Sequence, residues 1–381
     1  AILGLMECFR ADDRPGKVSL ASGVYVDESG ITPVLDTVRE AEARILAGQT
    51  TKVYKPIAGD PAYVGPVRDL VFGADHPAVT GKRVETLHTP GGTGALRVAG
   101  DLVAAIEPGA AVWLSTPTWP NHPQVFGAAG LPVRSYPYLG EDGDLDIETM
   151  LGVLRSVPAG DVVLLHGCCH NPTGIDPTPE QWERIADTVV DAGALPLLDF
   201  AYQGFADGLE QDATGLRALL ARETTMLVAS SFSKNFALYD ERVGALSIVG
   251  ATSAETATLL SHAKAGIRSN YSNPPAHGGE IVATVLADEA LKERWIGEVG
   301  MMRDRINGNR ARFVEGLRAA GAPGSHEALM RQRGMFSLLP LGEERVARLR
   351  DEFGVYVVGK GRVNVAGLTA DNLEPVCRAI A

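Results

Sequence analysis

No run of 18 apolar residues occurs anywhere in the 381-residue chain, so the sequence offers no candidate transmembrane helix. Cysteine is scarce, with four residues, two of them adjacent at Cys168 and Cys169. So few in so long a chain make no disulfide framework, and a reducing, cytoplasmic setting is the expectation. Basic charge is also short: 35 Lys and Arg stand against 47 Asp and Glu, for a net charge of −12. A nucleic-acid backbone or an anionic membrane is therefore a poor partner, while a local basic pocket for a small dianion is still allowed. Repeats, low-complexity tracts and long polar linkers are missing as well. The opening residues lack the basic stretch and apolar core of a signal peptide, and none is expected.

What is present is an ordinary globular balance, 45% hydrophobic and 22% charged. The length suffices for two domains, or one large domain with a satellite. From Pro33, VLDTVREAEARILAG has helical apolar spacing that stops at Gly48. TTKVYKPIAGDPAYVG reads as an irregular connector or lid carrying Tyr54. VETLHTPGGTGALRVAGDLVAAI reads as a strand, a Gly-rich turn and a helix, a layout that aims backbone N–H groups at an anion. It is not a dinucleotide fingerprint, because Arg97 holds the third glycine position. Likewise Gly354 to Lys360 fits GxxxxGK on paper, but its apolar middle and Gly361 in the Ser/Thr position exclude a P-loop.

The middle of the chain alternates apolar strands with helices, as in AAVWLSTPTWPNH, DVVLLHGCCHNPTG, PEQWERIADTVVDAG and LPLLDFAYQGFADG. That alternation predicts an α/β fold with a mostly parallel sheet covered on both faces. A long helical pattern spans Asp288 to about Ala320, and the short strands beyond it suggest a smaller α/β domain. The expected division is a large domain over 33–301 and a small one from 1–32 and 302–381.

In TTMLVASSFSKNFALYDERVG an apolar run ends in Ser230, Ser231, Phe232, Ser233 and Lys234, with Arg242 eight residues on. Serine hydroxyls and a guanidinium fork make an anion cradle, and an amine beside a second cation is desolvated into a nucleophile. Those are the needs of pyridoxal phosphate. A solvated lysine beside a Ser-rich turn fits this segment too. Asp199, buried after an apolar strand, needs either an ion pair or a pyridinium nitrogen. Tyr202 and Asn171 are placed to donate to the ring's phenolate, and Trp119 to stack on its face. His166, Cys168, Cys169 and His170 match no zinc spacing, and adjacent side chains in a strand would point to opposite faces; buried structural thiols and no metal are expected.

The motifs TPGGTGALR, STPTWPNH, HGCCHNPTG, DFAYQGFADG, SFSKNF, ERVGA, YSNPPAHG and GRVNVAG together resemble the class I aspartate/aromatic aminotransferases of fold type I, nearly end to end. The resemblance implies a Schiff-base lysine and proton shuttle at Lys234, with Asp199 on the pyridine nitrogen and Tyr202 and Asn171 on the phenolic oxygen. It implies Trp119 over the ring, His122 and His166 behind it, and a phosphate cradle of Gly92, Thr93, Ser231, Ser233 and Arg242. Tyr54 would reach that phosphate from the partner of a homodimer. Arg362 would clamp the substrate α-carboxylate, Arg268 of the partner the distal carboxylate, and Gly23 would lie on the segment that closes over substrate.

The implied activity is ping-pong transamination between L-aspartate, with aromatic amino acids as further substrates, and 2-oxoglutarate. Another pyridoxal phosphate reaction, such as elimination or decarboxylation, is the alternative, as is a non-catalytic binding protein on the same scaffold. Thr32, Thr93 and Asn273 look aspartate-like. Val26 and Val53 stand where polar residues are usual in aspartate-specific members, which opens the expected substrate entrance to aromatic side chains or is neutral drift.

Overall fold

The computed structural model describes residues 2–381. Seven strands form the central sheet in the order Val84–Pro90, Val243–Val249, Met226–Ser231, Leu195–Phe200, Val162–His166, Val112–Thr116 and Val133–Pro137. All run parallel except Val243–Val249, which is antiparallel to both neighbours. Val162–His166 is buried at every position, as is Met226–Ser231. Helices cover both faces of such a sheet, so its strands carry continuous apolar runs rather than alternation.

The parallel strands end at one edge, where His166 lies opposite Asp199 and Phe200 opposite Ser230. The antiparallel strand begins at that edge, with Gly244 opposite Ser231 and Val243 opposite Pro90. Every polar segment singled out at a strand end therefore opens on the same side of the sheet.

One local reading needs correction. Part of the stretch read as irregular is the helix Pro61–Phe72, started by the Asp60 carboxylate accepting from Ala62 N and by Pro61 in its first turn.

The two chain ends meet. Val18–Ser19 pairs in parallel with Val355–Tyr356, and Asn364 Nδ2 donates to the carbonyls of Ser22 and Val24. The 31-residue helix Glu289–Ala319 packs on one side against the C-terminal helix Ala370–Ile380 and on another against the helix Ala276–Ala287. It grips the Lys234 loop directly: Trp295 is fully buried, stacks on Phe236 at 4.3 Å and donates from Nε1 to Asn235 O at 2.8 Å. Trp295→Ala should cost about 3–5 kcal/mol in urea unfolding, from cavity and lost hydrogen bond together. A loss below about 1 kcal/mol, within the range of surface changes, would mean the site refills and the loop is anchored elsewhere.

Candidate active site

At the strand-end edge lies a cavity of about 300 Å³. Its lining includes Gly23, Gly92, Thr93, Trp119, Asn171, Asp199, Tyr202, Ser231, Ser233, Lys234, Arg242 and Arg362. These residues are spread over some 340 positions; the strand ends of the central sheet and the loops after them gather most, and the chain ends add Gly23 and Arg362.

One end of the cavity is an anion cradle. The helix Gly91–Ile106 points its N-terminus here. Gly91 has φ +74°, and a Cβ on it would sit 2.5 Å from Arg242 Nη2; one on Gly92 would sit 2.9 Å from Ser231 Cβ. Only glycine lets this backbone approach so closely. Arg242, itself left-handed at φ 56°, donates from Nη1 to Ser233 Oγ at 3.2 Å, and Ser233 N donates to Ser231 Oγ at 3.3 Å.

Opposite the cradle sits Asp199. Burial would raise its pKa, but the hydrogen bond from His122, with the Lys234 amine nearby, outweighs that and holds it below the ordinary carboxylate value. Its Oδ2 lies 3.0 Å from His122 Nε2. The chain continues from His122 Nδ1 to Thr118 Oγ1 at 2.8 Å and on to His166 Nε2 at 3.2 Å. Burial, above all, pushes His166 down to about 3, so this ring is neutral and accepts from Asn171 N at its Nδ1.

Between cradle and carboxylate stands Lys234, its Nζ 4.5 Å from the Tyr202 ring centroid. Burial pushes the amine down to about 8; Asp199 opposes this and Arg242 adds to it. Burial also raises the Tyr202 phenol, which stays protonated as a donor. Asn171 links two roles, donating from Nδ2 to Tyr202 Oη at 3.4 Å and accepting at Oδ1 from Arg362 Nη1 at 3.2 Å.

Arg362 is only 4% exposed and has no carboxylate partner among the described residues. Its Nη2 donates to Ala21 O at 2.8 Å, its guanidinium lies 4.2 Å from the Phe336 ring centroid, and its Nε is buried without a partner. A buried guanidinium in this state is matched to an incoming carboxylate.

Other expected residues lie elsewhere. Tyr54 is 87% exposed, and Arg268 is exposed with Nη1 on Ser272 Oγ; neither reaches this chain's cavity. Val53 is also exposed, and Val26 lines a separate cavity beside the N-terminal helix. Thr32 Oγ1 donates to Tyr25 O, and Asn273 Nδ2 to Pro274 O. Tyr239 and Phe336 line the site although no motif marked them. Tyr239 accepts from Tyr25 N at 2.9 Å and so ties the N-terminal segment to the Lys234 loop.

Cys168 and Cys169 are buried free thiols, as expected, but the argument that they point to opposite faces fails. Cys168 and Cys169 lie beyond the strand in a bend where Cys169 has φ 52°, so their side chains are not directed apart. Their sulfurs and an Asp212 oxygen fall within 4.8 Å of one another. Asp212 itself is committed to the N–H groups of Gly204, Ala206, Asp207 and Gly208.

The family model for class I and II aminotransferases matches residues 15–380. The chain belongs to the class I and II aminotransferases. It is 53% identical over 380 residues to the aspartate aminotransferase of Escherichia coli strain K12, covering 100% of this chain and 96% of that protein. It is 49% identical to the aromatic-amino-acid aminotransferase of Pseudomonas aeruginosa, covering 100% of this chain and 95% of that protein. Among solved structures, an aromatic-amino-acid aminotransferase from Burkholderia pseudomallei, covalently bound to pyridoxal phosphate, superposes with a TM-score of 0.96 at 46% identity, covering 100% of this chain and 95% of the other.

For an aminotransferase the cavity has the right chemistry: a dianion cradle, an ionised carboxylate for a ring nitrogen, a protonated phenol and a desolvated amine. The amine gives a direct test. Because the pKa is lowered, Lys234 is neutral over a wider range than an ordinary lysine. In the cofactor-free protein its labelling by acetic anhydride should have a midpoint near pH 8. Arg242→Ala should raise that midpoint and Asp199→Asn lower it, since the two charges act in opposite directions. A midpoint at the ordinary lysine value, unmoved by either change, would show the amine to be solvated.

Proposed function

We propose that this aminotransferase uses pyridoxal phosphate held by Lys234 to move the amino group of L-aspartate, and of aromatic amino acids, to 2-oxoglutarate. The observation that carries the reading is the joint burial of Lys234, Asp199 and Arg362 around one cavity. Bound there, the cofactor supplies a carbonyl carbon for amine exchange and a ring that withdraws electrons from the substrate.

The chain's own residues do the rest. Gly92, Thr93, Ser231, Ser233 and Arg242 hold the phosphate, and Asp199 keeps a proton on the ring nitrogen. Tyr202 and Asn171 donate to the phenolic oxygen, while Trp119 covers the ring. Arg362 takes the α-carboxylate on its free N–H groups, a two-point grip that lysine has no geometry to make. That grip orients the α-hydrogen toward Lys234 Nζ. With its pKa near 8, the amine is poised between proton acceptor and donor close to neutral pH. It removes the α-proton and returns it across the C–N bond. Gly23 lies on the segment that closes behind the substrate. The relatives' printed activities, aspartate and aromatic-amino-acid transamination, support this substrate class.

Domain assignment follows the same reading: residues 33–301 carry the cofactor, and 1–32 with 302–381 form the part that moves. The proposed setting is cytoplasmic; no helix among the described residues is long and apolar enough to cross a membrane.

The exposed Tyr54 and Arg268 support a homodimer in which each completes the site of a second copy. A two-fold dimer contains such a shared site twice. The test mixes two inactive variants, Lys234→Ala and Arg268→Asp, under verified subunit exchange. About half the dimers are then mixed, each with one intact site of two, so roughly a quarter of wild-type activity on aspartate and 2-oxoglutarate should return. Arg268→Asp alone should lose aspartate activity by far more than phenylalanine activity. No recovery on mixing would place both residues in one chain's site.

A further inference from the structure

We propose that Tyr239 is a positioning residue for the substrate: its hydroxyl fixes residues 21–25 against the Lys234 loop and thereby sets the orientation of Arg362. Under the aminotransferase reading above, on which this rests, the α-carboxylate clamp then depends on a side chain of the cofactor-binding loop.

Residues 20–27 belong to no helix or strand, and from 21 to 25 no backbone group bonds to another backbone group among the described residues. A chain in that state lies where the side chains reaching it put it. Arg362 Nη2 donates to Ala21 O at 2.8 Å, and Asn364 Nδ2 donates to Ser22 O at 2.7 Å and to Val24 O at 2.8 Å. Both side chains stand on one short strand, Arg362–Asn364, so these bonds tie the segment to that strand and to nothing else. Tyr25 N donates to Tyr239 Oη at 2.9 Å. Among the described residues, this is the hydrogen bond that joins 21–25 to the loop between Met226–Ser231 and Val243–Val249.

Tyr239 is itself held in place. Its carbonyl accepts from Arg242 Nη1 at 3.1 Å, and the same nitrogen donates to Ser233 Oγ at 3.2 Å. Burial, above all, raises the pKa of the phenol, so its oxygen meets Tyr25 N as a neutral acceptor. Tyr239 lines the catalytic cavity beside Ala21 and Gly23. A run of contacts therefore leads from the anion cradle through Tyr239 to Tyr25, and four residues back along the chain to Ala21 and Arg362. The hydroxyl is committed to Tyr25 rather than to Ser231, Ser233 or Arg242, which separates its role from that of the cradle.

Tyr239→Phe removes that oxygen and keeps the ring. In the holoenzyme, maleate (a dicarboxylate without an amine), titrated by the change in visible absorbance, should bind about three- to tenfold more weakly, the range that one neutral hydrogen bond supplies. KM for aspartate should rise by a similar factor while kcat falls by less, and the apoenzyme's affinity for pyridoxal phosphate should be unchanged. Amide exchange read by mass spectrometry should quicken in a peptide over 20–26 and not in one over 226–231. Unchanged maleate affinity, even with a lowered Tm, would make the bond a structural contact only and overturn the proposal. Loss of cofactor affinity in the same proportion as maleate affinity would also overturn it, by placing the hydroxyl in the cradle. A wild-type protein that takes up neither cofactor nor maleate overturns the catalytic reading, and this role with it.

Discussion

The cost of burying charge governs this molecule. Lys234 and Arg362 are cations placed where burial alone would discharge or weaken them, and Asp199 is an anion in the same cavity. In the interior such groups persist only when other charges and hydrogen bonds hold them. Asp199 is so held, by its hydrogen bond with His122 and by the Lys234 amine nearby. Arg362 is not paired with any carboxylate among the described residues, and the amine of Lys234 is left near its titration point. The imbalance makes the cavity a favourable place for anions such as a phosphate or a carboxylate, and Asp199 a partner for a protonated nitrogen.

The scaffold's task is to keep those groups from relaxing toward water. Parallel strands buried on both faces fix the positions of their final residues, so Asp199, Lys234 and Asn171 leave the sheet at set places. The chain ends close the other side, since Arg362 is tied to Ala21 and Asn364 to Ser22 and Val24. The long helix then locks the Lys234 loop through Trp295. Proton chemistry at the amine therefore depends on packing contacts far from it in sequence.

Much of this was legible in the sequence because burying polarity is expensive. A carboxylate after LPLL, a lysine after MLVASSFS and an asparagine after VVLLHGCCH stood out against their apolar strands, and all three line the cavity. Phe336 and Tyr239 did not stand out, because an aromatic at a strand or loop position is ordinarily core. The helix Pro61–Phe72 hid within glycines and prolines whose capping role emerges only once Asp60 is seen to hold Ala62 N. The Cys168–Cys169 argument assumed strand geometry that a left-handed residue cancels. Tyr54 and Arg268 had no local signature, and both lie exposed outside this chain's cavity.

The proposed chemistry rests on the cofactor being held by Lys234, the buried amine after the Met226–Ser231 strand. Borohydride reduction of the holoenzyme, which makes that attachment permanent, followed by peptide mapping by mass spectrometry, tests it most directly. The account predicts the added cofactor mass on Lys234 alone, with Lys17, Lys55 and Lys360 unmodified. Cofactor mass on any other lysine, with Lys234 recovered free, would contradict it.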